Sequence, residues 1–203
     1  MSVKTHHPEQ DREMRQKILA SATRLFASKG YAATSVREIV SEAGATAPVL
    51  YYYFQSKEGV YLEIMRDAVS QFEKIIEECS QKQGSPEERL RNLSARLYAI
   101  HCNNLDTVGL IHSVYHSPTQ SAPEFDFDTF HKKILATVAA LVDEGIAGGD
   151  FAVGNRDAMT MALLGALRFA MDTELCHPED SPGEEGFSKV LDIIFLGMRP
   201  RKS

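Results

Sequence analysis

The chain has 203 residues, 43% hydrophobic and 25% charged, with a formal net charge of −6; this balance excludes a disordered or collagen-like chain and fits a folded globular one. No apolar run approaches the ~18 residues that a membrane span needs, and the polar start MSVKTHHPEQDREMRQK lacks the apolar core of a signal peptide, so a cytoplasmic protein without a membrane partner is expected. Cys79, Cys102 and Cys176 lie far apart and form no C-x-x-C, which suits a reducing compartment and speaks against a disulfide framework.

Strand signals are nearly absent: there is no sustained period-2 alternation and no Asn-Gly or Asp-Gly hairpin turn. From Asp11, apolar residues at Met14, Ile18, Leu19, Ala22, Leu25 and Phe26 follow the 3/4 spacing of an amphipathic helix, which Gly30 stops. Ser35 or Thr34 can cap a short helix carrying Val36, Ile39, Val40 and Ala43, and Gly44 ends it. A second short helix follows and closes on three tyrosines, a phenylalanine and, after Gln55-Ser56, Lys57. A long helix after Ser56 carries Val60, Tyr61, Ile64, Met65, Ala68, Phe72, Ile75 and Ile76. Ser85-Pro86-Glu87-Glu88 supplies an N-cap, a proline at the first helical position and a capping-box glutamate for a helix running through Leu90, Leu93, Leu97 and Ile100 to Leu105. A shorter apolar stretch, 108–115, stops before Pro118, and 117–126 reads as the clearest loop. Helices are then expected around 127–146, ended by Gly145 and Gly148-Gly149, and around 156–176 with Asn155 as cap. Ser181-Pro182-Gly183-Glu184 repeats the cap signature before a last helix. The expected fold is all-α, with about nine helices.

Residues 34–57, TSVREIVSEAGATAPVLYYYFQSK, have the pattern of a helix-turn-helix unit, in which one helix braces a second that enters the DNA major groove. Charge is divided to match. Residues 1–57 hold eight Lys/Arg against five Asp/Glu, whereas the remaining 146 residues hold 14 against 23, so a basic head sits on an acidic body. On a wheel of about 100° per residue, Ala47, Pro48, Tyr51 and Tyr52 face one way, and Val49, Leu50, Tyr53 and Phe54 occupy the opposite arc. The outward tyrosines can hold phosphate oxygens through their hydroxyls and touch thymine methyls with their rings. Thr46 can offer a hydroxyl and nearby backbone N–H groups to a phosphate, and Lys57 a positive charge. Arg37 is the long basic side chain within reach of a base edge, with guanine the expected partner.

The order LF…KGY..TSVREI…AG…..LYYYF.SKE across residues 15–65 resembles the tetracycline-repressor (TetR) family of bacterial transcription regulators. Beyond residue 65 the likeness rests on helix count and length. The resemblance implies an all-helical homodimer that binds a palindromic double-stranded DNA operator and releases it when a small-molecule effector enters the C-terminal domain. It further implies a non-enzymatic regulator without a cofactor, with a helix-turn-helix domain at 1–57 (ordered from about 11) and a ligand-binding and dimerisation domain at 58–203. Carried onto this chain, the family's DNA contacts fall on Thr34, Ser35, Arg37, Thr46, Ala47, Pro48, Tyr51, Tyr52 and Lys57. Tyr53 sits where some members touch phosphate, but the wheel turns it inward. Val49 and Ala47 depart from the commonest pattern, and Ala47 removes a base-reading side chain.

A single helix-turn-helix reads only a few base pairs, so a two-fold partner is expected. The helices near 156–176 and 184–197 are the expected dimer face: Ala158, Ala162, Gly165 and Ala166 are small, and Met161, Leu164, Phe169, Leu191, Ile194 and Phe195 supply apolar area. A pocket for a hydrophobic or amphipathic molecule is expected among the helices of 58–146, with a contribution from 156–176. Its candidate lining residues are Phe72, Tyr98, Cys102, Leu105, His112, Tyr115, Phe130 and Arg168. His112 and His116 have metal-ligand spacing on a helix, but no H-E-x-x-H motif accompanies them, so no metal is assigned. A helical metal-dependent enzyme using His112, His116 and Cys102, or an interaction module without DNA affinity, are the alternatives to a DNA-binding regulator.

Overall fold

A computed structural model describes residues 8–81, 83–116 and 122–200, with only the backbone of 8 and 114–116. Among these residues it contains nine α-helices and no strand: α1 Pro8–Lys29, α2 Val36–Ala43, α3 Ala47–Phe54, α4 Lys57–Gln81, α5 Pro86–Cys102, α6 Leu105–His116, α7 Asp128–Gly148, α8 Arg156–Cys176 and α9 Gly183–Met198. A single 3-10 turn, Pro178–Asp180, separates α8 from α9. Half of the expected loop, 117–121, lies outside the described residues.

Two compact units result, one within Met1–Ala68 and Asp106–Phe125, the other within Val69–Leu105 and Asp126–Ser203. In the first, Ile18, Ala22 and Phe26 of α1 form a buried stripe with Ile39 and Val40 of α2, Leu50 and Phe54 of α3, and Val60, Tyr61 and Ile64 of α4. Burying these side chains stabilises three helices too short or too polar to persist alone. Arg15 lies over the Phe54 ring at 5.4 Å and donates to Glu63, tying α1 to α3 and α4. In the second unit, Ile75, Ile76 and Cys79 of α4 pack with α5, α7, α8 and α9 around Leu90, Leu97, Val142, Leu167 and Phe195.

Side-chain caps open α2, α5 and α8. Ser35 and Glu38 form a reciprocal capping box on α2, and Ser85 and Glu88 form another on α5 behind Pro86. Asn155 accepts from the Ala158 N–H at 3.1 Å. Three expectations are corrected. α5 stops at Cys102, because the Asn103 and Asn104 N–H groups turn back onto Ala99 and His101, so Leu105 opens α6 instead. Gly145 does not end α7; it makes room for the Phe151 ring, which a Cβ would meet at 2.2 Å, and Gly149 in the left-handed region stops the helix. Ser181 does not cap α9 in the expected box: its hydroxyl accepts from the Gly183 N–H and donates to Glu174.

Candidate nucleic-acid interface and ligand-binding body

The helix-turn-helix is built from three short-range devices. Gly44 takes φ 64° and returns its N–H to the end of α2, letting the chain reverse in two residues. Thr46 then opens α3 with extended backbone, and its carbonyl accepts from the N–H groups of Val49 and Leu50. At the far end the Ser56 hydroxyl accepts from the Gly59 N–H, starting α4. α3 divides as its wheel predicts: Leu50 and Phe54 are buried, whereas Tyr51 and Tyr52 are 48% and 70% exposed.

The Tyr53 hydroxyl donates to Asp11 Oδ1 at 3.0 Å, so this tyrosine braces α1 against α3. Pro48 and Thr46 are exposed and Ala47 is half-buried beside them. The Thr46 hydroxyl makes no cap bond. The outward face of α3 and its N-terminus therefore carry small groups, a hydroxyl and two broad rings.

The other predicted contacts are less uniform. Thr34 is buried, and its hydroxyl donates to the carbonyls of Gly30 and Leu25, which turns it into the head. Ser35 is exposed, but its hydroxyl is engaged with Glu38 as the α2 cap. Contact with Lys29 and with Ser35 holds the Glu38 carboxyl down at about 2, so it stays ionised as the cap acceptor. The Lys57 ammonium donates to the carbonyls of Tyr31 and Thr34 at 3.0 and 2.9 Å and lies 4.2 Å from the centre of the Tyr31 ring.

Much of the positive charge of the head is committed elsewhere, with Arg15 on Glu63, Arg24 on Glu42 and Lys29 on Glu38. Arg37 is exposed and forms no ion pair among the described residues. The S-x-x-E spacing of 35–38 is the local signal for Glu38 as a cap, whereas nothing local in the sequence points to Asp11 as the partner of Tyr53.

In the second unit the predicted pocket residues do not converge on one cavity. Phe72 and Phe130 meet edge to face at 5.9 Å, half-buried. Tyr98 is buried, stacks on Phe187 at 4.8 Å and donates to Glu174 at 2.9 Å; burial pushes its hydroxyl up to about 12. Cys102 is half-buried, and burial raises its thiol. Leu105 is partly exposed, and Arg168 is exposed and paired with Asp172 one turn on, which turns its charge away from an apolar interior. His112 belongs to the first unit, and the Tyr115 and His116 side chains lie outside the described residues.

A depression of about 130 Å³ lies between α5 and α9, lined by Arg91, Ala95, Tyr98, Glu184, Phe187, Ser188 and Leu191. Of the predicted lining residues it includes Tyr98, and it is smaller than the ~300–1,000 Å³ of most ligand sites. The remaining six lining residues carry no local signature and are joined only by the α5–α9 packing.

The outward faces of α8 and α9 are apolar. Met161, Phe169, Ile193 and Leu196 are each more than 70% exposed, and a Cβ on Gly165 or Gly197 would meet open space. Leu191 and Phe195, expected on this face, are instead buried in the core at 3% and 0%. Among the described residues no three His, Cys, Asp or Glu side chains gather as a metal-holding group, and no helix is long and apolar enough to cross a membrane.

A helix-turn-helix head with an outward aromatic face, followed by a larger all-helical unit, defines a DNA-binding transcriptional regulator. The model described as "Bacterial regulatory proteins, tetR family" matches residues 18–64, and "Tetracyclin repressor-like, C-terminal domain" matches residues 83–171. The HTH-type transcriptional repressor KstR2 of Mycolicibacterium smegmatis is 31% identical over 150 residues, which span 71% of this chain and 70% of that protein. The chain belongs to the TetR family, whose members are regulators and not enzymes. Among solved structures, FadR from Bacillus subtilis in complex with stearoyl-CoA matches with a TM-score of 0.68 over 91% of this chain and 99% of that one, at 19% identity. A TetR transcription regulator from Haloarcula marismortui matches at 0.71 over 92% and 98%, at 20% identity. At these identities both likenesses speak for the fold alone.

Proposed function

We propose that this TetR-family regulator is a repressor that binds a palindromic operator as a homodimer and is released by an amphipathic small molecule. The observation that carries the DNA reading is the outward face of α3, where Pro48, Tyr51 and Tyr52 are exposed, as is Arg37 of α2. Tyr51 and Tyr52 hold the backbone on either side of the major groove, Thr46 and the backbone N–H groups that open α3 add phosphate contacts, and Arg37 reads a base edge. Thr34 and Ser35 contribute by shaping the start of α2. Repression is supported by the relative KstR2, a repressor.

The effector class is supported by FadR, which holds stearoyl-CoA, and by Phe72, Phe130 and Tyr98, which give the second unit aromatic groups that suit an acyl chain. The boundary between the DNA-binding and ligand-binding domains falls at 57/58, at the start of α4. That helix runs from the first unit into the second, and effector binding changes its tilt and so the spacing of the two heads. The apolar outward faces of α8 and α9 are the dimer surface. A gel-shift series on the DNA upstream of the protein's own gene tests this. The expected result is a salt-sensitive, sequence-specific shift that stearoyl-CoA reverses. An intact dimer that gives no specific shift overturns the DNA reading. A shift that stearoyl-CoA leaves untouched overturns the effector class alone.

A further inference from the structure

We propose that Lys57 is a positioning residue that latches the start of α4 to the turn before α2, and that its role in operator binding is to aim α2 and not to hold a phosphate. The inference rests on the proposed operator binding. Lys57 is the first residue of α4, and its Nζ spans to the Tyr31 carbonyl at 3.0 Å and the Thr34 carbonyl at 2.9 Å. Two of its three N–H donors are thereby used on protein. The Tyr31 ring lies beneath the ammonium at 4.2 Å and is itself packed 5.4 Å from Phe26 and 5.2 Å from Tyr61, so the platform is fixed in the core.

The two carbonyls belong to one small turn. Tyr31 also accepts from the Thr34 N–H, and the Thr34 hydroxyl is anchored on Gly30 and Leu25. Thr34 immediately precedes Ser35, the cap of α2, and Arg37 lies in the first turn of that helix. Lys57 therefore grips the peptide that sets where α2 begins and where Arg37 points. A shift of the α4 start pulls on α2 through this one ammonium. A neutral side chain leaves two carbonyls and a ring face without their cation, freeing the turn while α2 keeps its own Ser35–Glu38 cap.

The two roles separate by salt and by sequence. A lysine on a phosphate contributes alike to every DNA sequence, and its loss lowers the salt slope of binding by about one. A lysine that aims a base-reading helix contributes to the preferred sequence alone. The probes are the tightest duplex that wild-type protein selects from a random pool and a scrambled duplex of the same composition. For Lys57→Met, binding to the selected duplex is expected to fall about tenfold, the size of a single lost base contact. Scrambled-duplex affinity and both salt slopes are expected to stay as in wild type. If both affinities fall in the same proportion with a slope smaller by about one, or if neither changes, the latch is overturned. Should Lys57→Met fail to fold, Lys57→Leu, which likewise can neither donate to the two carbonyls nor carry charge, carries the same comparison under the same criteria. Failure of the wild type to select any sequence would count against operator binding as a whole, a result distinct from either outcome for the variant.

Discussion

Tyr51 and His101 show how differently a single side chain can be placed for function or for stability. Tyr51 points outward from α3 and is 48% exposed, so truncating it removes little core packing. Tyr51→Ala is expected to weaken binding to the selected duplex by roughly tenfold, with a melting temperature close to wild type, as for surface substitutions generally. Titration calorimetry and a thermal melt on the same sample check both halves. His101 is the reverse case. It is buried in α5, Nε2 has no partner, and the ring bonds to the Met171 carbonyl. Burial lowers its proton affinity below the ordinary 6.5, despite the pull of Asp172 and Glu174. The unfolded chain therefore takes up this proton first as pH falls. The stability contribution is complete above about pH 6.5 and is lost as pH drops toward the folded value, by at most about 1.4 kcal/mol per pH unit. Denaturant melts at about pH 8 and about pH 5.5 are expected to show the loss in wild type and a smaller one in His101→Gln. Equal losses in the two proteins would assign the acid sensitivity elsewhere.

At the scale of elements, the corner between α3 and α4 is the tightest join in the head. Gln55 takes φ 66°, the Ser56 N–H turns back to the Phe54 carbonyl at 2.8 Å, and a Cβ at Gly59 would stand 1.9 Å from that same oxygen. Gly59→Ala would ordinarily favour a helix by up to about 1 kcal/mol; here the clash with backbone is expected to reverse the sign and cost about 1–3 kcal/mol. A lower denaturation midpoint with weaker operator binding checks this, and an unchanged midpoint would show that the corner relaxes freely. Much of this architecture was legible beforehand. Caps and helix phase are local, so Ser85-Pro86, Asn155 and the division of α3 could be read from spacing alone. What spacing cannot carry is the partner across space. Backbone carbonyls have no residue identity, so a lysine opening a helix reads as a phosphate ligand whether or not two carbonyls await it. Gly145 reads as a stop because punctuation and close packing look alike in sequence. The pocket depends on how several helices meet, and its candidates, spread over α4 to α8, scattered for that reason.

The same limit explains the dimer face, where the whole molecule is at stake. Val190, Leu191, Ile193, Ile194, Phe195 and Leu196 make α9 apolar almost all round, so periodicity gives no phase. Packing decides it: Leu191 and Phe195 turn inward, while Ile193 and Leu196 remain 72% and 71% exposed, as do Met161 and Phe169 on the adjoining α8 at 74% and 76%. Exposed apolar side chains of this size on two adjoining helices are costly for a monomer and are what a partner chain would cover. Burying one isoleucine is worth about 1.5–3 kcal/mol, and a two-fold interface counts each substitution twice. Ile193→Glu therefore removes roughly 3–6 kcal/mol of association energy, or two to four orders of magnitude in the dimer Kd, before charge repulsion is added. Sedimentation velocity at micromolar concentration is expected to give a two-chain mass for wild type and a one-chain mass for Ile193→Glu. The helical circular dichroism of the variant should be retained, and it should no longer hold a palindromic duplex, because each head alone reads half of it. Val153→Glu is the control: Val153 is 94% exposed on the loop between α7 and α8, outside both helices of the proposed face, and should leave the mass unchanged. A variant at Ile193 that stays dimeric would move the interface to another surface and leave this apolar face to a different partner.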